Sequence, residues 1–342
     1  MADILVSQDL DQLDTIPDGL LSATPETLHT ILPKPTLIHL SGKQQAPLFI
    51  SVLLHGNETT GFYAVQELLK RYQGKDLPRA LSLFFGNIQA ARDGLRRLDG
   101  QPDFNRIWPG TPLAESSESL MVADVVNIMK DKHIFASIDV HNNTGLNPHY
   151  ACVNKLDDSF LQLATLFGRF VVYFTRPQGV QSAAFAKICP AVTLECGRPG
   201  QQYGVEHAFE FLNSALHLAE FPAHPVHHQD IDLYHTVALV KIKNGTRFSF
   251  SQRDAELLLD PDIEKLNFTD VAANTIIGTI NKLVDLPLSA IDENGLDVSE
   301  RYFSINNGQL VIRRATMPSM LTLDERVIEQ DCLCYLMERI AI

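Results

Sequence analysis

Apolar, β-branched runs alternate with stretches of helical period through the first two thirds of the chain. No other feature restricts the fold as strongly. "PLFISVLL" (47–54), bounded by Pro47, reads as a buried strand. "TTGFYAVQELLKRYQG" follows with apolar residues at helical spacing, and Gly74 closes it. "RALSLFFGN" (79–87) reads as a strand, "ESLMVADVVNIMKDK" (118–132) as a helix, and "HIFASIDVHNNTG" (133–145) as a strand running into a polar loop. "GRFVVYFT" (168–175) and "PAVTLECG" (190–197) read as strands, and "GVEHAFEFLNSALHLAEF" (204–221) as a long amphipathic helix. Strands alternating with helices predict an α/β domain, its mixed sheet flanked by helices.

Near residue 222 the texture changes. "FPAHPVHHQD" carries two prolines and three histidines and reads as a linker, its histidines solvated. Beyond it, "HTVALVKIKNG", "IIGTINKLVDL", "GQLVIRRAT" and "CLCYLMERIAI" read as strands punctuated by Gly, Asn and Asp. The expected organisation is an α/β domain over 1–222 and a smaller β-rich domain over 230–342.

The chain of 342 residues is 45% apolar and carries a net charge of −13, which argues against nucleic acid or an anionic membrane as partner. Five cysteines, with no CxxC pair, and an acidic N-terminus without an apolar core suggest a reduced, cytoplasmic protein. Cys332 and Cys334, two apart, are expected to share one face of a strand rather than to bind a metal.

In α/β sheets, sites form beyond the carboxyl ends of the strands. His55, Asn87, His141 and Glu195 all fall at or just past such an end. "HGNE" offers His55 and Glu58, which a turn leaving a strand brings to one point, with Gly56 supplying backbone freedom. A hydrolytic zinc takes three protein ligands and keeps one position open. "SIDVHNNTG" supplies His141 as the third, and Asp139 points to the same side of the strand, where it can accept a hydrogen bond from that histidine. Glu195 ends an otherwise apolar strand, so it is either buried with a partner or faces a cleft, where it can serve as general base. The stretch 84–110 holds Arg92, Arg96, Arg97 and Arg106 in an acidic chain, a local positive field for carboxylates. Asn105 beside Arg106 adds an amide donor.

"HGNETTG", "GN", "DFNRIWPG", "DVHNNTG" and "TLECG", in that order, resemble the succinylglutamate desuccinylase/aspartoacylase family, a branch of the zinc carboxypeptidase-like hydrolases. The resemblance covers roughly residues 48–215, and the β-rich tail more loosely. It implies a carboxypeptidase-like α/β domain, a C-terminal β domain that narrows the cleft, and one zinc ion per chain held by His55, Glu58 and His141. It also implies Glu195 as general base, Asn105 and Arg106 as the pair holding a substrate carboxylate, and Asp103 as the acidic residue of that motif. The family's oxyanion-stabilising arginine falls best on Arg96, with Arg97 at the position of a usual tyrosine. The text between is two residues longer here, which keeps Arg92 and Arg97 in contention.

The implied reaction is hydrolysis of an N-acyl amino acid, succinylglutamate-like or acetylaspartate-like, to a carboxylic acid and a free amino acid. Arg198, just after "ECG", is a candidate reader of a second carboxylate. The alternatives are a zinc carboxypeptidase acting on peptides and a metal-stabilised binding protein without catalysis. The expected partner is a small molecule, with no nucleic acid and no membrane, and self-association is left open.

Overall fold

Residues Pro47–Val52 are buried at every position, as a strand covered on both faces requires. They form the inner half of β3 (Gly42–Val52), a central strand of the computed structural model, which describes residues 9–281 and 285–340. The chain divides into two units. One takes the residues up to Asn142, then His149–Tyr173 and Pro177–Asp232. The other takes Asn143–Pro148, Phe174–Arg176 and the chain from Leu233.

In the first unit the strands are β1 (Asp11–Leu13), β2 (Thr36–Leu40), β3, β4 (Leu77–Phe85), β5 (Ala136–His141), β6 (Tyr150–Val153), β7 (Phe170–Tyr173) and β8 (Ala191–Glu195). Their order in the sheet is β1-β2-β4-β3-β5-β8-β6-β7. β4, β3, β5 and β8 run parallel, so their carboxyl ends share one edge. β2 lies antiparallel to β4 and β6 antiparallel to β8, which makes the sheet mixed. Both of these antiparallel strands are too short and too plainly apolar for a strand period to reveal them in the sequence.

Helices α1 (Thr60–Arg71), α3 (Ser117–Asp131) and α6 (Gln202–His217) form where their spacing predicts. α1 buries Phe62, Ala64, Val65, Leu68 and Leu69 and carries Lys70 and Arg71 in its last turn, favourable to the helix dipole. Ser116 opens α3 with a capping box to Ser119. Shorter helices α2 (Ile88–Arg92), α4 (Asp158–Thr165) and α5 (Gln181–Phe185) connect strands. The single tryptophan, Trp108, is fully buried between Phe84 and Phe185, each 5.9 Å away by ring centroid. Its Nε1 donates to Phe104 O at 2.8 Å, which pins the loop carrying "DFNRIWPG" to the core.

The second unit is β-rich. One antiparallel sheet has the order β13-β9-β17-β16, from β9 (Asp232–Ile242), β13 (Leu288–Asp292), β16 (Met317–Ser319) and β17 (Cys334–Arg339). The other has the order β10-β11-β12-β15-β14, from β10 (Phe248–Ser249), β11 (Leu257–Leu259), β12 (Ile276–Ile280), β14 (Phe303–Asn306) and β15 (Gln309–Ile312). Val240, Leu257, Leu259, Leu288, Phe303, Leu310 and Leu336 belong to its apolar core. β17 begins at Cys334, so Cys332 lies before the strand rather than sharing its face. All five cysteines are buried, and none is joined in a disulfide. Part of the strand expected over 276–286 and the last two residues of the chain lie outside the described residues. No helix among the described residues is long and apolar enough to cross a membrane.

His39 on β2 links the fold to pH. Its Nδ1 lies 2.8 Å from Ser82 Oγ. Burial, helped by the charge of Lys132 and opposed by Asp14, pushes its pKa down to about 4. The folded value is below the unfolded value of about 6.5, so the unfolded chain takes up the proton first. The stabilisation is complete above that unfolded value and is lost as pH falls towards about 4. Urea unfolding of wild type and His39→Gln at neutral pH and near pH 4.5 is expected to show a smaller acid-induced loss in the variant.

Candidate metal centre

The chain leaves β3 through a turn that few sequences adopt. Leu53, buried, has φ +56°, a left-handed conformation rare for a residue with a branched side chain. Gly86 N donates to Val52 O at 3.1 Å and Asn87 N to Leu53 O at 2.6 Å, which fastens the turn to the end of β4. Gly56 is required for space rather than for conformational freedom, which corrects the expectation from the sequence. Its φ is not positive, but a Cβ there would lie 2.2 Å from Ala91 N and 2.3 Å from Ala90 C. Glu58 N then donates to His55 O at 3.1 Å, closing a turn that swings both side chains to one side.

His55 Nδ1 lies 2.8 Å from Glu58 Oε1, and His141 Nδ1 lies 2.7 Å from Glu58 Oε2. Ligand atoms of the three residues all lie within 4.8 Å of one another, and all three residues are buried. Each ring is held from behind by a second carboxylate. His55 Nε2 donates to Asp103 Oδ1 at 2.9 Å and His141 Nε2 to Asp139 Oδ2 at 2.8 Å. Asp139, fully buried, also accepts from Ser51 Oγ at 2.7 Å. With the Nε2 protons directed at carboxylates, the two Nδ1 atoms and the Glu58 oxygens they face are the groups left for a cation, which replaces the protons between them. Two imidazole nitrogens and a carboxylate fit a zinc-type ion.

The charges are tightly coupled. Burial acts to raise the Glu58 carboxyl, but His55 and His141 outweigh it and hold the group well below the ordinary carboxylate range. Burial likewise opposes ionisation of Asp103, and His55 and Arg96 override it, leaving that carboxyl well below its usual value. Burial would lower His141, yet Asp139 and Glu58 raise it well above the usual imidazole value.

Of the arginines near the motif, the fold brings Arg96 to this cluster. Its guanidinium donates to Asp103 Oδ2 at 3.0 Å and Glu58 Oε1 at 3.4 Å. Arg92 pairs with Asp93 on an exposed surface, and Arg97 donates to Gln101 O at 2.7 Å. Asn87 caps α2 through its Oδ1 and donates to Gln101 Oε1 at 2.8 Å, so it shapes the same loop. Asn105, buried, accepts at Oδ1 from Gln181 N at 2.9 Å, which places its Nδ2 3.1 Å from His141 Nε2. Arg106 donates to Asn105 O at 2.8 Å. Glu195, the last residue of β8, is buried and stands opposite His141 in register on β5 and opposite Tyr150 on β6. Paired residues on adjacent strands point to the same side of a sheet. Arg198 follows three residues later, partly exposed.

Several residues of this arrangement carry no sequence signal. Ser51 supports Asp139 and Gln181 orients Asn105. Gly179, with φ +74°, lets the chain pass Arg106 O, which would lie 2.3 Å from a Cβ there. Asn142 donates its backbone N–H to Glu58 Oε2 at 3.0 Å.

Residues 44–213 match the family model described as "Succinylglutamate desuccinylase/Aspartoacylase catalytic domain". The chain belongs to this family. No curated protein matches it by sequence. Three solved structures show that this family member shares their fold. The succinylglutamate desuccinylase of Chromobacterium violaceum superposes with a TM-score of 0.57 at 19% identity, over 88% of this chain and 86% of its own. Murine aminoacylase 3 gives 0.56 at 14% identity, over 88% and 97%. The ectoine utilization protein EutE (DoeB) of Ruegeria pomeroyi, solved with product bound, gives 0.57 at 14%, over 89% and 88%.

The packing of Gly56 generates a direct test. In Gly56→Ala the added methyl meets backbone atoms that cannot rotate away, and the expected loss of stability is about 1–3 kcal/mol by overpacking. Chemical denaturation measures the loss, and a zinc titration of the folded variant is expected to show weakened binding as well.

Proposed function

We propose that the chain is a zinc-dependent deacylase that hydrolyses the amide bond of an N-acyl amino acid to a carboxylic acid and a free amino acid. The observation that supports it most strongly is the convergence of His55 Nδ1, His141 Nδ1 and both Glu58 oxygens. Glu195 stands beside His141 in register, within a catalytic domain of a family named for desuccinylation and aspartate deacylation. His55, Glu58 and His141 would hold one zinc ion, and Asp103 and Asp139 would fix their rings. When bound, the ion supplies Lewis-acid polarisation of the scissile carbonyl and lowers the pKa of a water.

The chain's own groups do the rest. Glu195 takes the proton of the attacking water and returns it to the leaving nitrogen. Arg96, kept at the cluster by Asp103 and Glu58, sets positive charge where the amide oxygen becomes an oxyanion. Arg106 and Asn105 receive the substrate's α-carboxylate, the guanidinium through a two-pronged contact and the amide through Nδ2. The His141 nitrogen nearest Nδ2 keeps its N–H and donates it to Asp139, so it cannot also accept from the amide, and the Asn105 N–H groups stay available for that carboxylate. A substrate with a second carboxylate would meet Arg198 or Arg97.

The test is amine release from a panel in which N-succinyl-L-glutamate and N-acetyl-L-aspartate stand beside the same acyl groups on leucine and lysine, together with unblocked dipeptides. Acidic N-acyl amino acids are expected to be cut fastest, and preferential trimming of peptides would replace the deacylase with a carboxypeptidase. In Glu195→Gln, zinc is expected to stay bound while kcat falls by about 10²–10⁴-fold, the usual value of general acid–base help. Near-normal turnover by that variant would move the base elsewhere. Asp139→Asn is expected to weaken zinc binding by about 10–100-fold, read by competition with a chelator.

A further inference from the structure

Asn142 follows the ligand His141 and engages its backbone N–H and both ends of its carboxamide. It is buried, 4% exposed. Its backbone N–H donates to Glu58 Oε2 at 3.0 Å. Its side-chain Oδ1 accepts from Thr60 N at 3.1 Å, and its Nδ2 donates to Thr60 Oγ1 at 2.8 Å and to Gly197 O at 2.7 Å. Thr60 is the first residue of α1, two beyond Glu58, and Gly197 lies two beyond Glu195. One carboxamide therefore ties the segment after the ligand Glu58 to the segment after the base Glu195.

The tie comes where the sheet can no longer supply one. The ladder between β5 and β8 continues as far as Cys196 N, which donates to His141 O at 3.0 Å. At the next residue Gly197 turns away with φ +70°. Its carbonyl has left the strand geometry, and the Asn142 side chain meets it in place of a backbone partner. Glu195 is thus bracketed by a ladder bond on one side of its exit turn and a side-chain bond on the other.

We propose that Asn142 is a positioning residue for Glu195, setting the reach of that carboxylate to the cluster of His55, Glu58 and His141. The proposal rests on the deacylase reading. The contact to Glu58 is made by the backbone and survives side-chain replacement, whereas the contact to Gly197 does not. Loss of the carboxamide should therefore spare the metal and disturb the base. A residue that merely glues the core would instead lower stability, metal content and turnover together.

The experiment uses the zinc-loaded full chain, with N-succinyl-L-glutamate and N-acetyl-L-aspartate as probes. Asn142→Asp keeps the shape and the acceptor for Thr60 N but turns an acceptor towards Gly197 O. Asn142→Ala removes the carboxamide, and whichever variant melts near wild type carries the measurement. Bound zinc is expected to stay at the wild-type level, kcat to fall about 10–100-fold, the usual effect of a supporting contact, and KM to change little. In a Glu195→Gln background the same substitution is expected to cost almost nothing further, because both changes act on one group. Unchanged kcat in a folded variant would overturn the proposal, as would an equal loss in the Glu195→Gln background or a loss confined to KM or zinc content. If neither folds, Asn142 is a structural residue and the proposal fails. Failure of the deacylase reading looks different: no amine release by wild type, or full turnover by Glu195→Gln itself.

Discussion

Glu58 offers one oxygen to His55 and the other to His141, and a second carboxylate stands behind each ring. Such a run of alternating charge is costly to bury unless every member is partnered. The surrounding architecture meets that requirement. Two parallel strands deliver His141 and the His55 turn to one edge, Ser51 supports Asp139, and the loop holding Asp103 is anchored by a fully buried tryptophan. The same constraint explains the strain at Leu53 and the absence of a side chain at Gly56. The turn can present two ligands three residues apart only by leaving the strand abruptly and pressing against the backbone of α2.

The charge of the chain and the charge of the site are separate matters. A net charge of −13 describes the whole surface. Around Glu58 the two imidazoles and Arg96 hold buried carboxyls well below their usual range. Arg96 reaches that position because one loop, 95–108, is folded back on the exit turn, with Gly56 N donating to Arg96 O at 3.1 Å. Arg92, four residues earlier, is left at the surface with Asp93.

What could be read from the sequence was what repeats or what stands at a strand end. The long central strands and the helices of 3.6-residue period emerge close to their expected places, and His55, His141 and Glu195 are legible because polar residues abruptly terminate apolar runs. Asp139 is legible because a strand's period of two puts it on the side of His141. Residues whose role depends on a distant partner were not legible. Nothing about Gln181 reveals that its backbone fixes Asn105, and nothing about Asn142 reveals that its amide meets Gly197. Gly56 was legible as a glycine but not for its reason, since the approach of Ala90 and Ala91 exists only in three dimensions. Short strands such as β6, β10 and β11 are fixed by pairing rather than by pattern, so the β-rich unit was readable as a composition but not as two sheets.

The chemistry of the site turns on whether a cation occupies the point faced by His55, Glu58 and His141. Crystals grown with stoichiometric zinc and measured on both sides of the zinc absorption edge locate the ion without reference to activity. One anomalous peak per chain, within about 2.0–2.2 Å of both Nδ1 atoms and of a Glu58 oxygen, is the expected result. A peak at His224, His227 and His228 instead, with the His55–Glu58–His141 contacts intact and no density among them, would contradict it.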